Sequence, residues 1–258
     1  MKPARNTYSE LRRQDLLNRI ILDGQATVFE LSRDFAVSEV TIRGDLHALA
    51  NQNLVIRTHG GAIATNRIPE LSLWIRQQRQ VQEKDRIGAF AAHMIHVGDA
   101  VFLDTSSTAL AIARHLKNQR EITIITNSLA VAQVLADNPG INTVMPGGTL
   151  QRDTLSLIGT EGLLILNRYN IQYGFFGAHG ISDPEGLTDV SVAEAEVKQQ
   201  VVSQCRQVIA ILDGTKWGRV GAASFAPLQK VHSIITDQPG PENLVKTIQE
   251  YGVQIHIV

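Results

Sequence analysis

From Asp99 onward, short β-branched runs alternate with helical stretches, a pattern that folds as strand–helix–strand units with parallel strands. Seven runs have strand character: Ala100–Leu103, Ile122–Thr126, Asn142–Met145, Tyr173–Ala178, Val208–Leu212, His232–Thr236 and Val253–Val258. They predict an α/β domain with a mostly parallel sheet. Ligands of open sheets of this kind bind in the crevice beyond the carboxyl ends of the strands. Five polar or glycine-bearing loops stand at those ends: Asp104-Thr105-Ser106-Ser107-Thr108, Thr126-Asn127-Ser128, Pro146-Gly147-Gly148, Gly177-Ala178-His179-Gly180 and Asp213-Gly214-Thr215-Lys216.

The first of these loops suits an anion. Its hydroxyls precede the helix Ala109–Leu116, whose free N–H groups and positive dipole end favour a phosphate. The same hydroxyls also suit a Ser/Thr N-cap cluster, so this loop alone does not separate cap from ligand site. Lys216 beside Asp213 either neutralises a phosphate or forms a surface ion pair. Convergence of five loops favours a ligand, and the candidate residues are Asp104, Thr105, Ser106, Ser107, Thr108, Thr126, Asn127, Ser128, Gly147, Gly148, His179 and Lys216.

The first sixty residues follow another pattern. Leu11, Leu16, Leu17, Ile20 and Ile21 recur at helical spacing before Asp23-Gly24, predicting a helix from about Tyr8 to Leu22. Thr27 and Glu30 have capping-box spacing and open a short second helix with Leu31 and Phe35 inside. After a tight Ala36-Val37 connection, Ser38 is a good N-cap for a third helix ending near Gln52, with Val40, Ile42, Leu46 and Leu49 facing inward. Three short helices with a tight turn make a helix-turn-helix. Leu54–Arg57 as a strand and His59-Gly60-Gly61 as a hairpin tip add a wing. This arrangement turns Ser38, Glu39, Thr41, Arg43 and His47 towards the major groove of double-stranded DNA. Arg57 and His59 then reach a flanking phosphate or the minor groove.

Between the two patterns, Ala64–Pro69 reads as a linker. Leu71 to about His96 reads as one helix, with a polar middle, Arg76–Arg86, that is solvated or packed against a second subunit. The domain boundaries follow: 1–63 for the winged module, 64–84 for the linker and start of the connecting helix, and 85–258 for the α/β domain. The fold class is thus multidomain, α+β followed by α/β.

Composition narrows the classes. With 43% hydrophobic and 19% charged residues the chain is neither disordered nor fibrous. No signal-peptide core and no bilayer-length apolar run is seen, so a cytoplasmic protein without a membrane partner is expected. Net charge is −1, and residues 1–60 hold eight Lys or Arg against seven Asp or Glu. The DNA argument therefore rests on where the arginines sit rather than on their number. Cys205, the single cysteine, reads as a small apolar residue on a helix. The scattered histidines have no ligand spacing, and no phosphate-binding P-loop, dinucleotide turn or nucleophile elbow is present. No metal, no cofactor and no catalytic residue is expected. One small winged module covers about 600–1,000 Å² of DNA, less than genomic specificity needs, so a homodimer or tetramer on repeated half-sites is expected.

Two sets of residues carry a resemblance. Val37-Ser38-Glu39-Val40-Thr41-Ile42-Arg43-Gly44-Asp45-Leu46 with His59-Gly60-Gly61-Ala62 resembles the DNA-binding module of the DeoR family of bacterial transcription regulators. Phe102–Thr108, Thr126–Ser128, Pro146–Gly148, Phe176–Ile181, Gly186–Thr188 and Asp213–Gly218 are similar to that family's sensor domain, which is related to ribose-5-phosphate isomerase. The resemblance implies a repressor of a carbohydrate-metabolism operon, relieved by a phosphorylated sugar. Three positions depart from the family: Gly44 replaces a second arginine, Ser106 replaces a glycine, and His179 replaces an acidic or small residue. The rival reading is a sugar-phosphate isomerase using Glu194 or Glu196 as a base, but both are read as part of a solvated helix, and an isomerase has no use for a DNA-binding module.

Overall fold

The computed structural model describes residues 9, 12–13, 15–17, 19–20, 23–51, 54–64 and 72–258. The chain forms two compact units, Met1–Ile75 and Arg76–Val258. The helix expected over Tyr8–Leu22 lies partly, and Thr65–Pro69 wholly, outside the described residues. Those described between 9 and 20 are helical.

In the first unit, α1 (Val28–Asp34) opens with the expected capping box: Thr27 Oγ1 accepts from Glu30 N–H, and Glu30 accepts from Thr27 N–H. Ala36, at φ 51°, makes the turn. The Ser38 hydroxyl then accepts from Thr41 N–H at the start of α2 (Glu39–Asn51). Leu16, Ile20, Leu31, Ile42, Leu46 and Leu49 form the core. Asp45, on α2 yet buried, takes the Nε of Arg12 at 2.6 Å and of Arg13 at 2.9 Å, so these two cations tie the first helix to α2. The wing is a three-stranded antiparallel sheet in the order β1 (Gln25–Thr27), β3 (Gly61–Ala64), β2 (Val55–Arg57). Strand β1 was not expected. Val40, expected inside, is 79% exposed, because one residue after the helix start it lies on the face opposite Ile42.

The second unit holds a seven-stranded parallel sheet. Its strands are β4 (Ala100–Leu103), β5 (Ile122–Thr126), β6 (Ile141–Val144), β9 (Ile171–Phe176), β12 (Cys205–Leu212), β14 (Ser233–Thr236) and β15 (Gln254–Ile257). They run in the order β15-β14-β12-β9-β4-β5-β6, and each corresponds to one of the seven expected runs. Side chains alternate across it. Leu103, Phe175, Ile209 and Ile211 point to the face covered by Ile87 and Ala91 of one helix and Ala109 and Ile112 of another. Phe102, Phe176, Ala210 and Leu212 point to the face covered by Ala195, Val197 and Val201. Two antiparallel additions lie outside this sheet: the hairpin β7 (Thr149–Gln151) with β8 (Ser156–Ile158), and the set β10 (Gly180–Ser182), β11 (Gly186–Asp189), β13 (Ala223–Ala226). Cys205 heads β12 and is not on a helix. Burial pushes its thiol up to about 12, and Sγ donates to Val201 O.

The helix expected from Leu71 to His96 is broken. It consists of α3 (Leu73–Gln78) and α4 (Val81–His93), with Gln80 at φ 52° between them. Lys84 explains the break: its ammonium is buried and donates to Arg76 O and Arg79 O, each at 2.6 Å, closing the carboxyl end of α3 as a cationic cap. The polar middle is therefore neither solvated throughout nor covered only by another subunit. Burial lowers the Lys84 pKa to about 8, aided by Lys216, Arg76 and Arg79 and opposed by Asp213.

A folded pKa below the ordinary 10.5 means that the unfolded chain holds this proton more tightly. Stability from this group therefore rises with pH between about 8 and 10.5 and is flat below. Urea unfolding of the second unit is expected to show wild type gaining on Lys84→Met across that interval. Parallel curves for the two proteins would contradict the burial assigned to the ammonium.

Candidate DNA interface and effector site

Helical spacing brings Val40, Arg43, Gly44 and His47 together on one exposed face of α2, with Glu39 beside them. Glu39 pairs with Arg43 at 3.0 Å, which orients the guanidinium along the helix. Ser38 and Thr41 bond each other through their hydroxyls at 2.9 Å and are tied to the helix start. Arg57 and His59 are exposed on the wing. Val40 stands exposed on this same face, an apolar side chain among polar ones. A cavity of about 370 Å³ in this unit is bounded by Arg19, Thr27, Glu30 and Thr58, none of them from α2.

In the second unit β12, β9, β4, β5 and β6 are consecutive neighbours, so their carboxyl ends line one edge and bring all five loops there. Asp104 is 1% exposed and holds two of these loops together. Its Oδ1 accepts from Ser106 N–H at 3.0 Å, and its Oδ2 accepts from Gly177 N–H at 2.9 Å and from Lys198 Nζ at 3.0 Å. Lys198 also donates to Asp189 and to Gly177 O, both at 2.8 Å. Burial opposes the charge on Lys198, but Asp104, Asp189 and Glu194 outweigh it and raise the pKa. Burial likewise pushes Asp189 up, and Lys198 overcomes it and holds that carboxyl low.

Lys198, Asp189 and Glu194 were not among the expected site residues. The helix α7 (Val192–Val202) that carries Glu194 and Lys198 is buried at both, although Glu196 is exposed as expected. Here α7 completes the series in which α5 is Ser107–His115 and α6 is Leu129–Leu135. A usable signal was present: Glu194 and Lys198 are four apart, on the same side as Ala195, Val197 and Val201.

Several expected ligand groups are engaged locally. Ser106 Oγ caps α5 by accepting from Ala109 N–H, Ser128 Oγ caps α6 through Val131 N–H, and Thr126 Oγ1 accepts from Ser128 N–H. Asn127 donates to Leu157 O, joining the β5 loop to β8. Ser106 fits in place of glycine because Gly177 faces it. A Cβ on Gly177 would stand 2.3 Å from that of Ser106. Gly148, at φ 148°, lies against Ile158 O, so the Gly147-Gly148 turn seats the β7–β8 hairpin. His179 donates its N–H to Thr188 O.

Thr105, Ser107 and Thr108 are buried at the amino end of α5, beside its free N–H groups, and their hydroxyls find no partner among the described residues. Lys216 follows in the turn Gly214–Lys216. Asp213 accepts from the N–H and hydroxyl of Thr215, so its carboxylate is turned along the turn. Burial lowers the Lys216 pKa, Asp213 opposes this, and Arg219, Arg76 and Arg79 add to it. Arg76 Nη2 donates to Thr105 O at 3.4 Å.

A winged helix-turn-helix joined to a parallel-sheet unit defines a two-unit DNA-binding transcription regulator. The DeoR-like helix-turn-helix domain matches residues 12–68, and the DeoR C terminal sensor domain matches residues 79–238. The transcriptional regulator GolR of Listeria innocua is 32% identical, aligned over 95% of this chain and 97% of its own. The transcriptional repressor GlcR of Bacillus subtilis is 35% identical over 92% and 90%. The glycerol-3-phosphate regulon repressor of Escherichia coli K12 is 28% identical over 95% and 98%. The chain belongs to the DeoR family of helix-turn-helix transcriptional regulators. Among the described residues no helix is long and apolar enough to cross a membrane.

Gly44 is exposed, and a Cβ there would meet no atom within 4 Å. Gly44→Arg is expected to fold, to stabilise α2 by about 1 kcal/mol, and to steepen the salt dependence of non-specific DNA binding by about one phosphate contact. Fluorescence anisotropy across a salt series checks this. An unchanged slope would place Gly44 away from the backbone.

Proposed function

We propose that this regulator is a repressor of a carbohydrate-metabolism operon, bound to a double-stranded operator as a homodimer or tetramer in the cytoplasm and released by a phosphorylated sugar. The observation that carries this reading is the row of unpartnered hydroxyls Thr105, Ser107 and Thr108 at the amino end of α5, in a chain whose other unit exposes Arg43 on a recognition helix. Phosphate oxygens accept hydrogen bonds from such N–H groups and hydroxyls. Two of the relatives above are named repressors, one of them for a glycerol-3-phosphate regulon, which supports both halves. The chain is not an isomerase in this reading. The buried Glu194 accepts from Ser156 Oγ at 2.9 Å, and Glu196 is exposed, so neither is a carboxylate poised over the loops.

Direct base readout belongs to Arg43, and Arg57 and His59 hold the DNA backbone. Arg43→Ala is expected to lower discrimination between a selected operator and random duplex by about 1–3 kcal/mol with the fold intact. Arg57→Ala is expected to weaken both duplexes alike and reduce salt dependence. Competition binding on both duplexes measures this, and undiminished discrimination by the Arg43 variant would remove Arg43 from the bases.

A further inference from the structure

Between α3 and α4 the chain bends at residues that favour a straight helix. From Leu71 to Ile87 there is no glycine or proline, and Arg76–Glu83 consists of Arg, Gln, Val and Glu, all but Val81 strong helix formers. Yet Gln80 is left-handed, at φ 52°, a conformation that a residue with a Cβ adopts only against a steric cost. We propose that the connecting helix has two states, broken and continuous, and that Lys84 is the latch of the broken one, so that its release alters the path of the chain to the DNA-binding unit. Such a switch works whatever ligand the second unit takes.

The backbone hydrogen bonds fit two states. In the broken one, the N–H groups of Val81, Gln82 and Glu83 open α4 with no acceptor among the described residues, and Gln80 offers no side-chain cap. The carbonyls of Arg76 and Arg79, which a continuous helix would give to the N–H groups of Gln80 and Glu83, go instead to Lys84 Nζ. Straightening supplies the three free N–H groups with the carbonyls of Gln77, Gln78 and Arg79 and relieves Gln80. The helical period also runs through the break without a shift: Leu73, Gln77, Gln80, Lys84, Ile87 and Ala91 follow at steps of three or four.

The latch is weakly held. Its ammonium is buried, Lys216, Arg76 and Arg79 oppose the charge, and Asp213 favours it. Two other contacts steady α3, Arg114 Nη2 to Gln77 Oε1 at 2.8 Å and Arg76 Nη2 to Thr105 O at 3.4 Å, and both use long side chains that can follow a moving backbone. Helix α3 crosses from the first unit, which ends at Ile75, into the second, which begins at Arg76. The state of the break therefore decides the path of the chain between the two.

Amide hydrogen exchange on the full chain, read over peptides spanning residues 78–86, tests the switch. Wild type is expected to exchange fast at Val81–Glu83, and Lys84→Met, which removes the charge at similar length, to slow these amides about tenfold or more. Gln80 is exposed, so its variants change backbone preference without touching the core. Gln80→Ala, which disfavours the left-handed turn, is expected to slow the same amides, and Gln80→Gly, which favours it, to restore fast exchange in the Lys84→Met background. Protection kept at Ile87–Ala92 shows that α4 remains folded, and where Lys84→Met loses it the single Gln80 variants decide. Affinity for a selected operator is expected to change about fivefold or more in Lys84→Met and to return in the double variant. Slow exchange at Val81–Glu83 in wild type, or fast exchange there in the folded Lys84→Met and Gln80→Ala variants, would overturn the two states. Slowed exchange with unchanged operator affinity would overturn the link to DNA binding.

Discussion

A buried ammonium between two carboxylates holds the second unit's loops in place. Lys198 lies between Asp104 and Asp189 and also donates to Gly177 O. Asp104 in turn accepts from Ser106 and Gly177 N–H groups, so the loops after the adjacent strands β4 and β9 are fastened to α7 through one charge cluster. Removing a single partner would leave an uncompensated buried charge, a change worth about 3–5 kcal/mol in comparable sites. The loop that bears the hydroxyls of Thr105, Ser107 and Thr108 is positioned by this cluster.

Much of this arrangement was legible in the sequence. All seven strands of the parallel sheet were visible, because each holds a short apolar or β-branched run between turn signals. The capping box at Thr27 and Glu30 and the wing hairpin were visible too, since caps and turns are fixed by local chemistry. The short strands β1, β7, β8, β10, β11 and β13 were not, because their three or four residues hold no continuous β-branched run and they pair only in small antiparallel additions.

Charge placement was the harder part. The tie that Asp104 makes between two loops had no mark in the sequence, and Lys198 and Glu194 looked solvated and are buried. Lys84 looked like one of several polar residues on a continuous helix, and it ends that helix by binding two carbonyls. In each case the deciding partner lies on another element or across a chain reversal. Val40 failed for a different reason: an exposed apolar residue on a helix has the same pattern as one at a core edge.

Regulation in this account is a free-energy coupling between two sites on one chain, and such coupling is reciprocal. The measurement that tests it most directly is calorimetric titration of a panel of phosphorylated sugars into the full chain, free and saturated with its operator. The account predicts that at least one sugar phosphate binds the free protein more tightly than the operator complex, and lowers operator affinity by the same factor. Equal affinity for both forms, for every sugar phosphate that binds, would contradict it.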